Sequence, residues 1–131
     1  MNIEEFRNCC LSVKGAVESL SLQNHNVLVC KVVEKVFVYI PLEPGDGIFK
    51  AYLKCNPEKS VELREKYNGI TPDDFKTLLW NWVTLESDVP DGVIKELIRH
   101  SADEVSTRLK LVYIIHSVIV IDIQALEAQN S

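Results

Sequence analysis

The chain has 131 residues, the length of one ordinary domain, and its 47% hydrophobic content supports a packed core and excludes a disordered chain. Charged residues make up 25% and the formal net charge is −5, so the chain lacks the global positive field of a dedicated nucleic-acid binder. A local basic patch remains compatible with that balance, because charge can be segregated on a surface.

In chain order, Asn2 can cap a helix whose first turn carries Glu4 and Glu5. Ile3, Phe6, Cys10 and Val13 fall at helical spacing and Gly15 stops the pattern, which predicts a helix over residues 3–13. Residues 16–22 form a weak strand and 27–33 a strong one. Glu34-Lys35 makes a tight connection to a strand over 36–42, which Pro41 and the run Pro44-Gly45-Asp46-Gly47 close. Residues 48–55 give a fourth strand, and short turns between successive strands imply an antiparallel meander. Asn56-Pro57-Glu58 starts a second helix, which Asn68-Gly69 stops. Residues 70–77 read as a loop, with Pro72 and two aspartates, and 80–85 as a further strand. Ser87 or Asp88 with Pro90 opens a third helix, whose apolar stripe is Ile94, Leu97, Ile98, Val105 and Leu109. The expected fold is α+β: an antiparallel sheet in two layers with helices packed on one face, in the order α-β-β-β-β-α-β-α plus an apolar C-terminal tail. Residues 1–110 form the domain. Residues 111–131 form the tail, which packs on the same domain or on a partner subunit.

Residues 111–123 of that tail are apolar and β-branched but too short, and too interrupted by His116, Ser117 and Asp122, for a spanning helix of about 20 residues. No apolar leader follows Met1, so a cytoplasmic location is expected. Cys9, Cys10, Cys30 and Cys55 show no metal-ligand spacing and read as reduced, mostly buried thiols.

Several segments resemble the MmcQ/YjbR-like family. They are IEEFRNCCLSVKGAVESLSL at the start, VLVCKVVEKVFVYIPL, YLKCNPEKSVELREKY, the strand LWNWVTL and the helix VPDGVIKELIRHSADEV. The match runs in register over about residues 2–108. The resemblance implies a compact bacterial-type α+β fold similar to secretion chaperones and frataxin-like domains, and DNA binding through a double-wing arrangement. Where family members carry Lys-Lys-His-Trp, this chain reads Thr77-Leu78-Leu79-Trp80, with Lys76 beside it. The family's first turn has Pro-Gly, and here it is Lys14-Gly15.

Strand alternation sharpens the expected site. Lys50, Tyr52 and Lys54 share one side of their strand, opposite Phe49, Ala51, Leu53 and Cys55. Lys31 lies with Val27 and Val29, and Trp80 with Trp82. If helices cover the apolar side, the open face carries Lys31, Lys50, Tyr52, Lys54 and the tryptophans, with Lys76 nearby. Lysines there can meet phosphate, and aromatic rings can stack on unpaired bases. The same rings also suit packing against a protein partner, a second copy or the tail. The expected partner is DNA, as the resemblance implies, or alternatively a protein or self in a chaperone-like module. His25, His100 and His116 are scattered, Asp73-Asp74 reads as a solvated loop, and no nucleophile elbow or glycine-rich phosphate loop occurs. No catalytic activity, metal, cofactor, membrane or small-molecule substrate is expected.

Overall fold

A computed structural model describes residues 1–106. Its elements are α1 (Ile3–Leu11), β1 (Val17–Leu20), β2 (Val27–Val32), β3 (Lys35–Pro41), β4 (Lys50–Lys54), α2 (Pro57–Lys66), β5 (Ile70–Pro72) and β6 (Trp80–Thr84). A third helix among the described residues, α3, occupies residues 91–106. The six strands form one sheet in the order β1-β2-β3-β4-β6-β5, and each neighbouring pair is antiparallel. The expected α+β class holds, and so does the expected element order, with one added strand, β5. The expected tail packing of residues 111–131, and the domain's last residues 107–110, lie outside the described residues.

Local chemistry sets the helix starts. The Asn2 carboxamide accepts from Glu5 N at 2.9 Å while the Glu5 carboxylate accepts from Asn2 N, a reciprocal capping box. In α2 the Asn56 side chain accepts from Lys59 N at 2.8 Å and Pro57 takes the first turn, where no backbone donor is needed. The first helix ends at Leu11, two residues before the expected limit, with Ser12 as its cap. Gly15, at φ +80, then carries the chain into β1 through a conformation that side chains disfavour. Gly69 is required for another reason: a Cβ there would collide with Ser87 and Asp88. The Asp88 carboxylate accepts from Asn68 N and Gly69 N at 2.6 and 2.7 Å, tying the end of α2 to the chain that leads into α3.

The segment expected as a loop over 70–77 begins as a strand. Ile70, Thr71 and Pro72 pair with Val83, Trp82 and Asn81 of β6. Its proline is tolerated because β5 is an edge.

All three helices lie on one face. Phe6 and Cys10 of α1, Leu63 of α2, and Ile94, Leu97, Ile98, Ala102 and Val105 of α3 join one core. From the sheet that core takes Leu28, Cys30, Val32, Val38, Ile40, Ala51, Leu53 and Val83. Strict alternation in β3 would expose Phe37, yet it is fully buried. The register between β2 and β3 shifts there: Cys30 pairs with Val38 and Lys31 with Val36. Phe37 is thus the extra residue of a bulge, which turns it into the core beside Val38. The Phe37 carbonyl accepts from the buried Ser101 hydroxyl of α3. Removing that donor leaves the carbonyl buried without it, so Ser101→Ala should destabilise the fold by about 1–3 kcal/mol in urea unfolding.

The β2–β3 connection is Val33-Glu34, both at positive φ (46° and 68°), while Lys35 already pairs with Val32. Two left-handed residues are what a two-residue hairpin turn demands, but a β-branched valine fits that conformation poorly. Replacing Val33-Glu34 by Asn-Gly should therefore raise stability, by about 1 kcal/mol, measured as a higher denaturation midpoint.

Candidate functional site

The face of the sheet opposite the helices carries a row set by cross-strand register. Val29 of β2 pairs with Tyr39 of β3, Tyr39 with Tyr52 of β4, Tyr52 with Trp82 of β6, and Trp82 with Thr71 of β5. Trp80 joins this row from the neighbouring register position, opposite Lys54. Tyr52 stacks on Trp80 with centroids 4.9 Å apart and planes inclined by 10°. Tyr52 tilts against Trp82 at 4.7 Å, and Tyr39 against Trp80 at 5.6 Å and Tyr52 at 6.1 Å. Such offset and tilted pairs satisfy the ring quadrupoles and hold each ring in one orientation. Val27, Tyr39, Pro41, Tyr52, Trp80 and Trp82 line a shallow basin of about 400 Å³. Through Pro41 and Trp82 it adjoins a second hollow of about 630 Å³ that includes Asp46, Lys50, Thr71 and Asp74.

Of the residues expected to form a site, Tyr52, Trp80 and Lys54 come together: the Lys54 ammonium lies 5.5 Å from the Trp80 ring centroid, a cation–π distance. Lys50 is exposed and lines the adjoining hollow. Lys31 is half-buried on the same face by register, but pairs with Val17 and Val36 away from the basin. Lys76 is exposed on the loop between β5 and β6, at φ 52, and does not line the basin. Tyr39 is a basin residue that alternation alone does not single out, because the bulge at Phe37 resets the parity of β3.

Asp73 departs most from expectation. Far from being solvated, its residue is buried, and its carboxylate accepts from the Tyr52 hydroxyl at 2.9 Å, from Thr77 N at 2.7 Å and from the Thr77 hydroxyl at 2.9 Å. Burial works against the charged form, but the bonds from Thr77 and Tyr52, with Arg64 close by, outweigh it and hold the carboxyl below its ordinary range. Burial, with the Asp73 carboxylate next in importance, pushes the Tyr52 phenol above its own range.

Arg64 of α2 anchors the loop over residues 73–79 from the other side. Its guanidinium donates to the Asn81 side chain at 2.7 Å and to the carbonyls of Thr77 and Trp80. Asn81 donates to the Ser60 hydroxyl at 2.9 Å, and that hydroxyl donates to the Leu78 carbonyl at 2.7 Å. The segment that differs from the family pattern is therefore fixed through its backbone, while Leu78 and Leu79 keep exposed side chains.

Other expected features fall elsewhere. His100 Nε2 accepts from Asn56 N at 3.2 Å, a structural contact between α3 and the start of α2. It also lies 3.7 Å from Glu104, yet burial and the nearby Lys59 prevail and lower its pKa. Cys10, Cys30 and Cys55 are buried free thiols and Cys9 is half-buried. Among the described residues no group of three or more His, Cys, Asp or Glu side chains converges as metal ligands would, and no helix is long and apolar enough to cross a membrane.

The YjbR family model matches residues 11–103. Two crystal structures are similar to the chain. One, of Deinococcus radiodurans protein DR2400 with its DUF419 domain, has a TM-score of 0.65 at 26% identity and covers 76% of this chain and 75% of that one. The other, of a protein from Pseudomonas syringae, has a TM-score of 0.63 at 23% identity and covers 77% of this chain and 96% of that one. No curated protein matches.

Because Asp73 titrates below its unfolded value, its contribution is present above an unfolded pKa of about 3.9 and is lost as pH falls through the lower folded value. Asp73→Asn should thus cost about 1 kcal/mol near neutral pH, and the gap to wild type should narrow below about pH 4 in denaturant titrations.

Proposed function

The chain belongs to the YjbR family, and from that premise we propose that it is a binding protein whose working surface is the open aromatic face of the sheet, with unpaired nucleic acid as its ligand. The observation that carries this reading is the basin itself. Four rings lie on the face opposite the helices, locked by their mutual contacts, with Lys54 at one side and Lys50 in the adjoining hollow. Fixed rings offer stacking to any base, worth about 1–3 kcal/mol each, and the two ammonium groups suit the phosphates on either side. The acidic net charge fits a small, local contact better than a long duplex footprint.

A protein partner is the second reading. Phe75 is 87% exposed, Leu78 and Leu79 are exposed on the same loop, and Asp46 and Asp74 line the adjoining hollow. Apolar anchors beside carboxylates suit a basic, apolar peptide.

The chain's only two tryptophans both line the basin, so its intrinsic fluorescence reports on ligand there directly. A mixed-sequence single-stranded oligonucleotide at about 50 mM salt should change that fluorescence, with affinity falling steeply as salt rises. Lys50→Ala and Lys54→Ala should each weaken binding and reduce the salt slope by about one. A silent titration at low salt defeats the nucleic-acid reading, and a fluorescence response to an arginine- and leucine-rich peptide instead supports the protein reading.

A further inference from the structure

The two edges of the sheet are unlike. β5 has three residues and ends in Pro72, which has no N–H to offer a further strand. β1, at the opposite edge, has four residues paired with β2 on one side, and no strand of the described residues lies on the other. Open edges are usually guarded by lysine, proline or an inward charge. β1 has no lysine or proline, and its one charge, Glu18, is held by Arg7 of α1 through contacts of 2.8 and 3.2 Å. Val17 is 62% exposed, Leu20 is 49% exposed, and Leu22 just beyond is 94% exposed. An apolar edge with its charge neutralised is a template for strand addition.

We propose that this edge pairs with β1 of a second copy, antiparallel, about a two-fold axis normal to the sheet. The blunted β5 edge selects that occupant. Two copies joined through β1 consume both open edges at once, and the assembly closes instead of growing into a filament.

The four-residue length of β1 limits the axis to Glu18 or Ser19, the positions nearest its middle, and charge decides between them. Residues directly opposed in an antiparallel pair face the same side of the sheet, so the axis must pass through a residue position. An axis through Glu18 would oppose two carboxylates, which is unfavourable. An axis through Ser19 places Ser19 opposite Ser19, Glu18 opposite Leu20 and Val17 opposite Ser21, with no like charges facing. Rotation about that axis leaves the faces unchanged, so both aromatic basins lie on the same side of one continuous sheet. A long or repeated ligand could then engage two basins together, with the gain in apparent affinity that linked sites give.

The dimer does not depend on which ligand the basin takes, and its test is separate. Light scattering on the full chain should give about twice the 14.9 kDa monomer mass across a wide concentration range. The double variant Val17→Lys, Leu20→Lys should return the monomer mass with an unchanged circular dichroism spectrum. Ser19→Cys should form a covalent dimer under mild oxidation, whereas the wild-type chain, whose cysteines are buried or half-buried, should not. A monomer at every concentration overturns the proposal. So does a dimer that survives the lysine substitutions, or one that Ser19→Cys fails to cross-link, because the contact then lies elsewhere, residues 107–131 included.

Discussion

One extra residue in β3 decides which side of the sheet each of its side chains serves. Without the bulge at Phe37, regular alternation from Tyr39 toward Val36 would turn a phenylalanine to solvent and Val36 inward. With it, Phe37 and Val38 both enter the core, and Tyr39 and Val36 face away from the helices. The price of a bulge is an unpaired backbone group, and Ser101 of α3 answers it with a hydroxyl aimed at the Phe37 carbonyl. The helix layer and the irregularity of the sheet therefore specify each other: α3 stabilises the bulge, and the bulge turns Phe37 into the core that α3 shares.

The open face has a comparable dependence. Its rings are fixed by one another, but the loop that borders them is fixed by polar groups drawn from three elements. Arg64 and Ser60 reach the loop's carbonyls from α2, Asn81 joins them from β6, and Asp73 gathers the Tyr52 hydroxyl and both donors of Thr77. A buried carboxylate is tolerated only when donors surround it. Here one of those donors is the Tyr52 hydroxyl itself, so the rim and the floor of the basin are set together. Pre-set rings lose little freedom when a ligand arrives, and that favours affinity.

Much of this was legible in the residues. The order of elements followed from periodicity and from Asn-Pro, Asn-Gly and Pro-Gly punctuation. The grouping of Lys50, Tyr52 and Lys54 on one face, and of Trp80 with Trp82, followed from alternation in strands that are regular. What escaped had tertiary causes. Ile70–Pro72 looks like loop because a three-residue strand with a proline carries no periodic signal; pairing with β6 makes it a strand. Tyr39 was hidden by the bulge. Asp73 looked solvated beside Asp74 because its partner Tyr52 lies 21 residues away, a separation no local pattern crosses. Lys31 and Lys76 have the right residue type but stand outside the basin, since distance along a face depends on strand order and loop path as well as on parity.

The buried thiols have a kinetic consequence. Cys10 lies on α1, Cys30 on β2 and Cys55 immediately after β4, all shielded from solvent in the closed fold. A thiol so placed reacts with a bulky reagent only when its own element opens. The labelling rates of the three sites therefore rank the opening free energies of the first helix, the second strand and the β4–α2 junction, and separate local fraying from global unfolding without any added probe.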